Sequence, residues 1–89
     1  MSVRVFSNTI PDSETKELIT DTVLQGVGVA RPGNWRASIA ADAEDWHIVI
    51  DGPDNFHWDQ HFHGPHEHRP DFILDRIRQV LPVVGVNAS

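Results

Sequence analysis

Apolar positions recur along this chain with two periods, and the switches between them mark the elements. From Pro11 onward the period is helical. Asp12 or Ser13 supplies an N-cap, and Glu14 and Glu17 suit the positive end of a helix dipole. Leu18, Ile19, Thr22, Val23 and Val27 then form one apolar stripe, with Gly26 and Gly28 as the stop and Pro32-Gly33 as a turn. The expected helix covers 13–27.

The next stretch has period two. Trp35, Ala37, Ile39 and Ala41 fall on one face, and Arg36, Ser38, Ala40 and Asp42 on the other. After the polar turn Asp42-Ala43-Glu44-Asp45, the apolar positions Trp46, Ile48 and Ile50 continue the alternation. Pairing Ala41 with Trp46, Ile39 with Ile48 and Ala37 with Ile50 puts every apolar side chain on the same face, which fixes a hairpin register. Beyond the turn cluster Gly52-Pro53-Asp54-Asn55, Phe56, Trp58, Gln60 and Phe62 alternate with His57, Asp59, His61 and His63, a third strand ended by Gly64-Pro65. Pro70 then opens a closing helix whose stripe is Phe72, Ile73, Ile77, Val80 and Leu81, stopped by Pro82.

These elements predict one α+β domain over residues 1–89: helix, three-stranded antiparallel β-meander, helix (αβββα), with both helices on one sheet face. Val3-Arg4-Val5-Phe6 and Val83-Val84-Gly85-Val86 have the character of short edge strands. Using both gives the alternative, a ferredoxin-like βαββαβ fold, but it leaves residues 52–68 as a long structureless loop, an uncommon feature. The meander is favoured. Its element order is similar to that of double-stranded-RNA-binding domains in topology alone, and fold does not carry function.

Composition narrows the function classes. Thirteen acids against seven basic residues give a formal charge of −6 in 89 residues, so the positive footprint of a nucleic-acid binder is missing. No apolar run approaches membrane-spanning length, and no basic-then-apolar secretion signal opens the chain. No nucleic acid and no membrane are therefore expected as partners. The chain has no cysteine, which excludes disulfides and thiolate chemistry and makes cytoplasm the expected compartment. Six histidines make the charge conditional: protonating all of them would bring it to zero, mostly near pH ~6.5.

Five of those histidines lie between His57 and His68. On a strand, His57, His61 and His63 share the solvent face with Asp59, while the neighbouring strand offers His47, Val49 and Asp51 there. His47 then sits opposite Asp59 or His61. Imidazole ligates zinc, nickel and copper, and a nearby carboxylate can orient its second nitrogen. The candidate metal ligands are His57, His61, His63, His47 and, after the turn, Glu67. The run His61-Phe-His63-Gly-Pro-His66-Glu67 resembles the His-x-His-x₃-Glu core of the cupin metal motif. The resemblance covers that run alone: the motif's flanking glycines are missing and a helix follows where cupin strands continue, so no cupin barrel is expected.

Other constellations carry less. Gly26-Val-Gly28 follows a helix rather than a strand, so it is not a dinucleotide fingerprint. No serine or threonine occupies a nucleophile turn, Lys16 has no activating pocket, and Trp35, Trp46 and Trp58 fall on core faces. Catalytic and cofactor-binding residues are accordingly expected to be absent. The expected function is a small acidic non-catalytic protein-interaction module with a basic protein partner. The alternative is a histidine-cluster metal-binding or pH-responsive protein. A small enzyme or ligand sensor built at a dimer interface ranks third, and homodimerisation through an edge strand or the Val83–Val86 tail stays open.

Overall fold

The computed structural model describes residues 2–28 and 33–81. In chain order they form β1 (Ser2–Asn8), α1 (Ser13–Val27), β2 (Asn34–Asp42), β3 (Asp45–Asp51), β4 (His57–His63), α2 (Gly64–Glu67) and α3 (Pro70–Val80). The expected meander is present as β2-β3-β4, with a helix before and after it, so the α+β class holds. The sheet has a fourth strand. β1 pairs in parallel with β2, giving the order β1-β2-β3-β4, and α1 is the crossover that a parallel pair requires. The expected tail strand at 83–86 lies outside the described residues.

α1 begins where the sequence predicts. Asp12 is the N-cap, its carboxylate accepting from the Thr15 N–H at 2.9 Å and the Thr15 hydroxyl at 2.6 Å. Those bonds hold the Asp12 carboxyl below the usual carboxylate range. Gly28 ends the helix at φ +93°, a conformation that suits glycine. Ile19, Thr22, Val23, Gly26 and Val27 are buried, and the Thr22 hydroxyl donates to the Leu18 carbonyl at 2.8 Å. Leu18 itself departs from expectation at 50% exposure, because the buried stripe runs from Ile19 to Val27 and leaves Leu18 on its rim.

The β2–β3 register is the one the alternation requires: Ala37 with Ile50, Ile39 with Ile48, Ala41 with Trp46. Trp35, Ala37, Ile39, Trp46, Ile48, Ile50 and Phe62 form the sheet side of the core, with Ile19, Val23, Val27, Ile73, Ile77 and Leu81 on the helix side. Both helices therefore cover one face. The turn is tighter than expected: Asp42 pairs with Asp45, and Ala43 adopts a left-handed φ of +56°. In α3, Ile73 and Ile77 are buried, as is Leu81 just after it, while Phe72 and Val80 are only half-buried.

β1 is held by polar as well as apolar contacts. Val3 and Val5 pack against the core, and the Asn8 amide donates to the Lys16 carbonyl at 3.1 Å and to Thr20 Oγ1 at 2.8 Å. A bulge between Val5 and Ser7 leaves Phe6 59% exposed. After β4, the Gly64-Pro65-His66-Glu67 segment folds as one turn of helix, too short for any periodicity to announce. Among the described residues, no helix is long and apolar enough to cross a membrane.

Candidate functional site

The sheet face opposite the helices is built from the polar half of each alternating strand. β3 contributes Asp45, His47, Val49 and Asp51, and β4 contributes His57, Asp59, His61 and His63. Register sets Asp45 across from His63, His47 from His61, Val49 from Asp59 and Asp51 from His57. Side chains opposite or diagonal to one another across a strand pair lie within contact distance, so this grid forces imidazoles against carboxylates.

The result is a continuous ladder. His57 Nδ1 donates to Asp51 at 2.7 Å, and its Nε2 lies 3.6 Å from Asp59. Asp59 in turn accepts from His47 Nε2 at 2.7 Å. The His47 and His61 rings stack at a centroid distance of 4.2 Å with 1° between their planes. His61 Nδ1 donates to Asp45 at 2.8 Å, and His63 Nδ1 approaches the same carboxylate at 3.3 Å. Asp51, His57, Asp59, His47, His61, Asp45 and His63 thus form one run of contacts. An ionised carboxylate only accepts, so each ring nitrogen bonded to one carries the proton.

Two members carry a perturbed charge equilibrium. The hydrogen bond to Asp51 holds the His57 imidazole above its ordinary range, reinforced by the charges of Asp51 and Asp59. The hydrogen bond from His47 holds Asp59 below the usual carboxylate range. A raised histidine favours the folded state below the unfolded value of ~6.5, and that contribution is lost as pH rises through the folded value. The melting temperature is expected to fall between pH ~6 and ~8, and His57→Gln should flatten part of that slope. Identical slopes in the two proteins would remove His57 from the linkage. Asp59 acts with the opposite sign, its contribution vanishing as pH falls below the unfolded value of ~3.9.

The sequence-derived candidates separate into two groups. His57, His61, His63 and His47 all lie on the ladder. Glu67 does not: its carboxylate accepts the His63 backbone N–H at 2.9 Å and so caps the end of β4. His66 leans on Phe72 at 5.4 Å, and His68 stacks on Trp46 at 3.7 Å while its Nε2 donates to the Phe62 carbonyl at 2.9 Å. Asp45 is the member that sequence reasoning missed. Reading 42–45 wholly as turn hid the Asp42–Asp45 pair that carries β3 back to face His63.

Among the described residues, no group of three or more histidine or carboxylate side chains is placed to hold one metal ion. An open cleft of about 380 Å³, lined by Ile10, Asp12, Glu44, Trp46 and His68, lies at the end of the sheet beside α2, apart from the ladder. Comparison with known proteins gives no match to a family model, to a curated protein or to a solved structure.

Proposed function

We propose that this domain is a non-catalytic protein-interaction module that presents the histidine–aspartate ladder to a basic partner, with affinity set by pH. The supporting observation is the ladder itself, displayed on a sheet face that neither long helix covers. With neutral rings, Asp45, Asp51 and Asp59 make the face anionic; protonating four imidazoles outweighs those three carboxylates and reverses its sign. The neighbouring charges are Arg36, opposite Asp51, Arg4 on β1, and Asp42, opposite Asp45. A lysine- and arginine-rich peptide is the probe. Its affinity should fall at least ~10-fold from pH 7.5 to 5.5, and Asp45→Asn/Asp59→Asn should weaken it at pH 7.5. Binding indifferent to both the pH and the double substitution sinks this reading.

A transition metal is the second reading, and Asp45 is the observation that favours it. It engages Nδ1 of both His61 and His63, the outer-shell arrangement that prepares Nε2 of each ring as a ligand. The ring centroids are 6.1 Å apart, so bringing both nitrogens to the ~2.0–2.1 Å zinc distance requires side-chain rotation. Protein purified without chelating resin is expected to carry little metal on elemental analysis and to titrate weakly with zinc. Near-stoichiometric zinc that disappears in His61→Ala/His63→Ala would promote this reading over the first.

A further inference from the structure

Among the described residues β4 is an edge strand, and its sequence pairs with itself. About Gln60, His57-Trp58-Asp59-Gln60-His61-Phe62-His63 reads as a chemical palindrome: histidine against histidine, tryptophan against phenylalanine, aspartate against histidine. We infer that a second copy of this chain adds antiparallel along β4, on a two-fold axis at Gln60, joining the two sheets edge to edge.

The backbone on that edge is available at the right positions. The Phe56 carbonyl accepts from Gly52, and the Gly64 N–H donates to Glu44, so the even-numbered residues at both ends of β4 turn their backbone groups toward β3. Strand alternation then turns His57, Asp59, His61 and His63 to the open side. The His63 N–H has this parity, because it meets Glu67 rather than a strand. With the two-fold at Gln60, Asp59 and His61 of the two copies exchange backbone bonds twice, about four in all.

The side chains agree with that register. On the polar face, Asp59 meets His61 of the second copy, extending by one strand the imidazole–carboxylate pairing already seen between β3 and β4. On the apolar face, half-buried Gln60 meets its own symmetry mate, and half-buried Trp58 stands opposite Phe62 of the second copy, which is enclosed in its own core. Centring the axis on Asp59 sets two carboxylates face to face. Centring it on His61 places Trp58 against Gly64, where α2 begins. A shift by an odd residue opposes polar and apolar faces. The Gln60 axis opposes Asp59 to His61 twice and keeps the polar and apolar faces matched along the whole strand.

The edge pairing does not rest on the basic-partner reading of the face, and it is read from association state alone because Asp59 and His61 belong to that face too. Three measurements test it. Sedimentation should show a concentration-dependent dimer that His61→Asp or Asp59→Lys weakens at least ~10-fold, since each sets repelling or unpaired groups across the axis. Mixing those two variants should restore a heterodimer. One side of the axis then keeps the native contact of Asp59 with His61, and the other sets the introduced carboxylate against the introduced ammonium. A folding defect would give no such rescue. Gln60→Cys, in a chain with no other cysteine, should form a dimer disulfide under mild oxidation, as opposed non-bonded strand residues lie ~4.5 Å apart at Cα. Asn55→Cys, in the β3–β4 turn, is the control and should not. A monomer up to ~1 mM, with no Gln60→Cys cross-link beyond the control, overturns the inference.

Discussion

Trp46→Ala is expected to cost about 3–5 kcal/mol, the usual range for deleting a buried aromatic from a packed core. The indole is 8% exposed, pairs across β3 with Ala41 on one side and Phe62 on the other, and belongs to the main core cluster. Its outer surface is covered by the His68 ring, stacked at 3.7 Å with 3° between the planes. Removing it therefore leaves a void on the core side and takes the platform from His68, whose Nε2 anchors the segment after α2 to the Phe62 carbonyl. Urea denaturation followed by far-ultraviolet circular dichroism measures the loss as a lower midpoint at unchanged slope. Leu18→Ala is the matched control: half-exposed on the rim of α1, it should cost well under half as much. A Trp46→Ala penalty below ~1 kcal/mol would mean that the indole is not a core residue at all.

The hairpin was legible because side-chain parity leaves little choice. Moving β2 against β3 by one residue would turn Ile39 or Ile48 to water, so the apolar pattern dictates the pairing. The same parity placed His57, Asp59, His61 and His63 on one face. Two features were beyond it. β1 pairs in parallel through a helical crossover, and Val3-Arg4-Val5-Phe6 says nothing about which strand it will meet. Its placement depends on Val3 and Val5 reaching the core and on Asn8 reaching Lys16 and Thr20 of α1, contacts that exist only after folding. α2 is one turn long and hides within the stop signal Gly64-Pro65.

The site was half legible for a related reason. Register predicts which residues stand opposite, yet the bond from His47 to Asp59 is diagonal, Asp59 standing directly across from Val49. Sheet twist and rotamer choice set diagonal contacts, and a linear pattern contains neither. The outcome matters for function. A directly opposed pair of histidines, His47 and His61, stacks ring on ring, and each ring turns a nitrogen to a different carboxylate, Asp59 for one and Asp45 for the other. Each of the two stacked imidazoles thus holds its own aspartate.

Ile77→Ala is expected to cost about 2–5 kcal/mol, and its coupling to Gly26 tests how the two long helices meet. Ile77 is fully buried at the crossing of α3 over α1. A Cβ built on Gly26 would stand 2.7 Å from Ile77 Cγ2 and 3.1 Å from its Cβ, so glycine is what lets the helices approach this closely. Gly26→Ala gains about 1 kcal/mol of helix propensity but forces the crossing apart, and overpacking of that kind costs about 1–3 kcal/mol. The single substitution should therefore be neutral to destabilising. In the double variant the new methyl occupies space that the lost Ile77 side chain leaves, so the two penalties should not add. A stabilising coupling of about 1 kcal/mol or more in the double-mutant cycle is the expected result. Strict additivity would place Gly26 and Ile77 out of contact and refute the close crossing on which the helix layer, and the freedom of the opposite sheet face, depend.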